Sequence, residues 1–194
     1  MKTVWIATGN KHKTEEFAAM LGDDVNIKTL NDLEREPEIV ESGKTFEENA
    51  LIKARALYDL VHEPVFADDS GLEVDVLDKQ PGIYSARFMG EDTDYTIKNQ
   101  AILDAIKDKT GAERSARFVC AIAWIEEDGS EHVVRGTMEG YVNDKIEGEH
   151  GFGYDPIFYY PPFATTSANV APEIKNAASH RHNALVKMLA ERSK

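Results

Sequence analysis

Cysteine is all but absent from this 194-residue chain, and Cys120 alone excludes an intramolecular disulfide and fits a reducing compartment. No apolar run approaches the ~18 residues of a membrane span. The opening MKTVWIATGNKHK turns polar after a short apolar run, too brief for a signal peptide. A soluble cytoplasmic protein without membrane contact is therefore expected. Positive charge is also scarce, with 22 Lys plus Arg against 35 Asp plus Glu and a net charge of −13. Nucleic acid is gripped by clustered cations, so no nucleic-acid partner is expected. A small anionic ligand on a few local lysines is compatible with this charge, and a polyphosphate would then favour a bridging divalent cation. Among the histidines, His12, His62, His132, His150 and His182 lack metal-ligand spacing, which argues against a zinc site. There is no repeat, linker or low-complexity tract, and the length suits one domain.

What is present reads as interleaved strands and helices. TVWIA (3–7) is a first strand, followed by the turn TGNKHK and a helix with Phe17, Met20 and Leu21 at i, i+3 and i+4. VNIKTL is a second strand, and the acidic residues 31–45, with Pro37 and Gly43, form a long loop. A helix is expected from Phe46 to about Val61. Residues 65–67 read as a short buried strand and LEVDVL as another, with a further helix over Thr93–Lys109. Two long strand-like runs flank Asp128-Gly129, a hairpin signal. A last helix is expected over Asn176–Glu191. The class is α/β around a mixed sheet.

Several short stretches suggest chemistry. ESGKTFEEN ends like a P-loop, but Glu38 stands where that pattern needs glycine, and REPEIVE makes a poor buried strand. IATGNKHKTEE runs a strand into a turn and a helix, so helix-start amides can face an anion, with Thr8, Asn10 and Lys13 adding donors. The residues alone leave open an ordinary capped turn there. In VFADDSG, Asp68 and Asp69 follow an apolar run at what reads as the carboxyl end of a buried strand. Ligands commonly bind at such strand ends in open α/β sheets. Neighbours on a strand face opposite sides, so the two aspartates are expected to do different work. An Asx-turn is the alternative. Glu41 could supply a partner carboxylate for a hard cation such as Mg2+. GFGYDPIF sets Phe152 and Tyr154 beside Asp155 as a wall for a flat heterocycle, and Lys175, His180 and Arg181 follow near the last helix. Cys120, in FVCAIAWI, reads as inert core.

Together these stretches resemble the inosine triphosphate pyrophosphatase family, enzymes that cleave non-standard purine nucleoside triphosphates. The matching pieces are ATGNKHK (7–13), ESGKTFEENALIKA (41–54), ADDSGLEVDVL (67–77), PGIYSAR (81–87), GFGYDPIF (151–158) and KNAASHR (175–181), in family order. The chain departs with Ala168-Asn169 where the family often has Ala-Glu, and with DKQPG where a glycine pair commonly precedes the proline. The resemblance implies a central, elongated mixed sheet with flanking helices. It also implies one domain over 1–194, two lobes around a nucleotide cleft, and a homodimer. It assigns Asp69 as general base and metal ligand, Glu41 as second metal carboxylate, and Asp68 as a supporting neighbour. Substrate-binding positions would be Thr8, Gly9, Asn10, Lys11, His12, Lys13 and Ser70, with Lys53 facing the phosphates. Phe152, Gly153, Tyr154 and Asp155 would form the base-binding loop, completed by Lys175, His180 and Arg181.

The implied reaction is Mg2+-dependent hydrolysis of ITP, dITP or XTP between the α- and β-phosphates, with Mn2+ as a possible substitute. Two rivals stand beside it. One is a Maf-type pyrophosphatase acting on pyrimidine or modified nucleotides, against which SHR and GFGYDP speak. The other is a nucleotide sensor without turnover, for which clustered carboxylates would serve no purpose.

Overall fold

A computed structural model describes residues 2–193. The chain forms two compact units, one of Met1–Asp69, Cys120–Gly136 and Ala184–Lys194, the other of Ser70–Val119 and Thr137–Asn183. In the first, β1 (Lys2–Ile6) leads into α1 (Lys11–Leu21) and β2 (Val25–Thr29). The helix returns the chain, so β2 lies parallel to β1 from Lys2 opposite Val25 to Ile6 opposite Thr29. After the acidic loop, α2 (Phe46–Val61) begins on Thr45, whose hydroxyl accepts from Glu48 N at 3.1 Å. Lys44 N donates to the Glu48 carboxylate at 2.6 Å, so GKT closes a helix start and makes no phosphate cradle. One stripe of α2, from Phe46 through Asn49, Ala50 and Ala54 to Leu57, is buried at helical spacing. The core of this unit joins Ile6, Phe17, Phe66, Ile122, Trp124 and Leu185, with Phe17 edge-on to Phe66 at 5.0 Å.

The next strand corrects the sequence reading. VFADDSGLEV is one strand, β3 (Val65–Val74), where two short ones were expected. Asp68 and Asp69 lie within it at 1 % and 6 % exposure, so no surface turn interrupts the chain. The ladder continues because lysines meet both charges, as described below. Trp5 and Ile6 of β1 pair in parallel with Val65 and Phe66.

The second unit holds the rest of β3, with β4 (Gln80–Pro81) antiparallel to it, and α3 (Tyr95–Ala105). Asp94 starts α3 by accepting from Thr96 N at 2.7 Å. The helix stops four residues before the expected Lys109. The Arg114 guanidinium accounts for that end: it donates to the carbonyls of Ile106, Lys109, Val142 and Asn143 at 2.6 to 3.2 Å. The expected hairpin is present as β5 (Ser115–Ile125) and β6 (Glu131–Val142). β5 is buried along nearly all its length, whereas in β6 every second residue from Val134 to Val142 is buried, the pattern of a strand with one covered face. Gly140 is needed because β7 (Phe158–Tyr160) passes so close that a Cβ there would lie 2.8 Å from the Phe158 ring. β8 (Thr165–Thr166) pairs antiparallel with β7.

The final helix, expected from Asn176, starts four residues later as α5 (His180–Arg192), and a short α4 (Pro172–Asn176) that was not expected precedes it. Ser179 sets the start of α5 by accepting from His182 N at 3.1 Å. Leu72, Ile102, Ile106, Phe118, Met138 and Phe158 lie in this unit's core. The strand order is β2-β1-β3-β5-β6-β7-β8, mixed in direction, with helices flanking the sheet as the α/β class requires. No helix among the described residues is long and apolar enough to cross a membrane.

Four carbonyls depend on the buried Arg114 guanidinium. Hydrogen bonds to charged groups contribute roughly 1.5–3 kcal/mol each and are not additive, so Arg114→Ala should cost about 3 kcal/mol in urea unfolding. A loss under about 1 kcal/mol would mean that water replaces the guanidinium at those carbonyls.

Candidate active site

In the first unit the site is a knot of charges at β3. Lys13, on the first turn of α1, reaches Asp68 Oδ2 at 2.8 Å, and that carboxylate also has the Cys120 thiol at 3.9 Å. Lys53, on the stripe of α2 that carries Asn49, lies 2.6 Å from Glu41 Oε1 and 3.2 Å from Asp69 Oδ1. The strand alternation thus gives each aspartate its own lysine, as expected for side chains on opposite faces. Asn49, fully buried, accepts from Gly43 N at 2.8 Å and donates to Asp69 Oδ2 at 3.4 Å. It therefore ties the loop bearing Glu41 to the strand bearing Asp69. Sequence reading passed over it, although an amide on the buried stripe between Phe46 and Ala50 was the available signal.

Charge and burial set the chemistry here. Burial pushes the pKa of the Asp69 carboxyl above the usual carboxylate value, and Lys53 and Lys13 only partly offset this. Burial also works against the Lys53 ammonium, but Asp69, Asp68 and Glu41 outweigh it and hold the lysine more firmly protonated than usual. Three carboxylates against two ammonium groups leave one negative charge over. Glu41 and Asp69 already converge on one cationic centre, and both are hard oxygen donors, which fits Mg2+. Among the described residues no three His, Cys, Asp or Glu side chains form a cage. Mg2+ does not need one, since it combines one or two carboxylates with substrate phosphates.

The β1–α1 turn is only partly drawn into this knot. Asn10 caps α1 by accepting from Lys13 N at 3.2 Å, while its own N–H is held by Thr8 Oγ1 at 3.1 Å. Thr8 is buried and Gly9 exposed. Lys11 and His12 face solvent at 86 % and 61 % side-chain exposure, each near Glu15.

In the second unit, charged and polar side chains cluster around Phe152. The Asp155 carboxylate is buried and accepts from Phe152 N at 2.9 Å, Ser167 Oγ at 2.7 Å and Lys175 Nζ at 2.7 Å. Gly151 adopts φ +72°, and any Cβ there would collide with that carboxylate. Lys175 Nζ and the Arg181 guanidinium stand 5.0 and 5.9 Å from the Phe152 ring centre. Arg181 donates to Ser70 Oγ at 3.0 Å, and His180 stacks on Phe118 at 4.8 Å. Tyr154 is buried in the core with its hydroxyl on the Ser85 carbonyl at 2.6 Å, so the ring left to receive a flat ligand is Phe152. Ser167 was not foreseen, since a lone serine in a loop gives no sequence signal.

A phosphohydrolase-like constellation on a mixed α/β scaffold is what these features define. A model of the Ham1 family matches residues 4–191. The dITP/XTP pyrophosphatase of Exiguobacterium sibiricum is 44 % identical over 95 % of this chain and 94 % of its own. That of Halalkalibacterium halodurans is 45 % identical over 95 % and 96 %. Among solved structures, a HAM1 protein from Coxiella burnetii superposes with TM-score 0.88 at 35 % identity, covering 100 % of this chain and 99 % of its own. The Staphylococcus aureus Ham1 protein gives 0.86 at 38 %, with both chains fully covered. The chain belongs to the Ham1 family, and the resemblance read from its six motifs is borne out.

The cluster makes its own prediction. Lys53→Met leaves Glu41 and Asp69 without their shared ammonium, which should lower the unfolding free energy by about 3 kcal/mol, the cost of breaking a buried pair. Denaturant titration at neutral pH measures it, and an unchanged midpoint would show that water already neutralises this pair.

Proposed function

We infer that this chain hydrolyses non-standard purine nucleoside triphosphates, of the dITP and XTP kind, to the monophosphate and pyrophosphate. The observation behind this is Asp69, a carboxylate buried mid-strand, raised in pKa by that burial, and sharing Lys53 with Glu41. The names of the dITP/XTP pyrophosphatase relatives supply the substrate class. The residues of 1–194 work as one two-lobed catalytic domain.

Water attacks the α-phosphorus and forms the new P–O bond as the bond to the bridging α–β oxygen breaks. The water proton passes to Asp69, and the electron pair leaves with pyrophosphate. A raised pKa suits Asp69 to this role, because it holds a proton better than an exposed aspartate would. Lys13 and Lys53 face the charge that develops on the phosphates, assisted by amides at the start of α1. Glu41 and Asp69 would hold Mg2+, or Mn2+ in its place; when bound, the ion supplies charge neutralisation on the triphosphate and acidifies water. Asp68 keeps Lys13 in position through the 2.8 Å ion pair.

Base choice falls to the residues around Phe152. The ring stacks the purine, and Lys175, His180 and Arg181 offer donors to a 6-oxo group. Adenine carries a donor at that position and would leave them unpaired, a mismatch worth several kcal/mol. Compartment and assembly follow the family resemblance: a cytoplasmic homodimer.

Asp69→Asn should abolish turnover of dITP at saturating Mg2+ while pyrophosphate remains the only inorganic product of the wild type. Near-wild-type turnover of the variant, or release of single phosphate, would overturn the assignment. His180→Ala should raise KM for ITP about 10-fold with a smaller fall in kcat, as loss of ground-state binding does. An unchanged KM would remove His180 from base contact.

A further inference from the structure

We propose that Asn99, on α3, is a positioning residue for purine selectivity: it fixes the Gly153 carbonyl and thereby the backbone that presents Phe152. The proposal rests on the reading of residues 152–155 as the purine-facing loop.

Asn99 is 2 % exposed, and its Nδ2 donates to Gly153 O at 3.1 Å. A carbonyl accepts and never donates, so this bond also fixes which way the amide points. Its Oδ1 has no hydrogen-bond partner among the described residues. A buried amide using half its capacity is a poor choice for packing alone, since an unsatisfied polar atom costs ~1–3 kcal/mol. What the residue supplies is orientation of one peptide.

That peptide needs it. Gly153 sits at φ +66°, with Tyr95 close enough that an added Cβ would lie 3.6 Å from the Tyr95 ring. Tyr95 meets Tyr154 edge-on at 5.3 Å, and Lys98 Nζ donates to Ala86 O at 2.7 Å. Tyr95, Lys98 and Asn99 follow i, i+3 and i+4 spacing, so one face of α3 grips both the Ser85–Ala86 segment and the Gly153–Tyr154 segment. The Tyr154 hydroxyl on Ser85 O links the two. From the other side, Asp155 holds Phe152 N and Lys175. The loop is thus fixed at both ends of its short span, and Phe152 is delivered beneath Lys175 and Arg181 as a consequence. Reading one exocyclic group on a purine needs donors placed to a fraction of an ångström, and a shift near 1 Å can cost ~100-fold. Asn99 touches none of those donors; it acts through Gly153.

Asn99→Asp keeps the size and replaces the donor by an acceptor that repels the carbonyl; Asn99→Ser shortens the donor out of reach. For both, KM for dITP should rise ~10-fold with kcat within ~2-fold, and the dITP-to-dATP ratio of kcat/KM should fall ~10-fold. Direct titration with IMP and AMP, which involves no turnover, should show the same loss of discrimination. Phe152→Ala tests the underlying reading. If it broadens selectivity while N99D and N99S keep the wild-type ratio, the proposal fails and the reading stands. If Phe152→Ala also keeps the ratio, the loop does not face the base and both fall. A fall in kcat at unchanged KM in N99S likewise overturns the proposal, and where N99D does not fold, N99S decides on the same two measurements.

Discussion

Two neighbouring carboxylates in the middle of a buried strand are a costly arrangement, since each ion loses several kcal/mol of hydration. β3 tolerates them because an ammonium meets each one: Lys13 for Asp68 and Lys53 for Asp69. Each lysine comes from a different helix, and each helix is held by its own buried stripe, Phe17 in α1 and Phe46 to Leu57 in α2. The charges and the packing are therefore one problem. Without the lysines the strand would turn to water at Asp68; without the helices the lysines would have no fixed place. Asn49 adds a neutral link, so the loop with Glu41 is drawn to the same strand.

The second unit repeats the principle with a single carboxylate. Asp155 is satisfied three times over, by a backbone amide, a hydroxyl and an ammonium. Its role is the shape of residues 151–155, with Gly151 in a backbone conformation that leaves room for the carboxylate. In both units a buried anion organises backbone around itself, and basic side chains that neutralise it remain at hand for a ligand. An excess of acidic residues in the composition is thus compatible with a site for anionic substrates, because local lysines and arginines decide the field where the substrate sits.

Much of this was legible in the residue order. α2 was legible from Phe46 to about Val61, because Phe46, Ala50, Ala54 and Leu57 recur at helical spacing. The β5–β6 hairpin followed from Asp128-Gly129 between long apolar runs. Ends set by distant groups were not legible. α3 stops short because Arg114, several residues later in the chain, claims the carbonyls beyond it, and the last helix starts later than expected, at His180, where Ser179 caps it. Asp-Asp-Ser-Gly was read as the end of a short strand, with a turn as the alternative, because the lysines that let the strand run on lie 16 and 55 residues away.

By itself the sequence determined the class of fold, the family through six ordered motifs, and the residue types of the candidate site, since composition, periodicity and motif are properties of the chain as written. Tertiary structure alone decided which of those residues act together. It set Lys13 and Lys53 on separate aspartates, turned Lys11 and His12 to solvent, withdrew Tyr154 into the core and left Phe152 as the accessible ring. Those outcomes depend on distances between segments far apart in the chain, which burial and charge neutralisation fix only in the folded state.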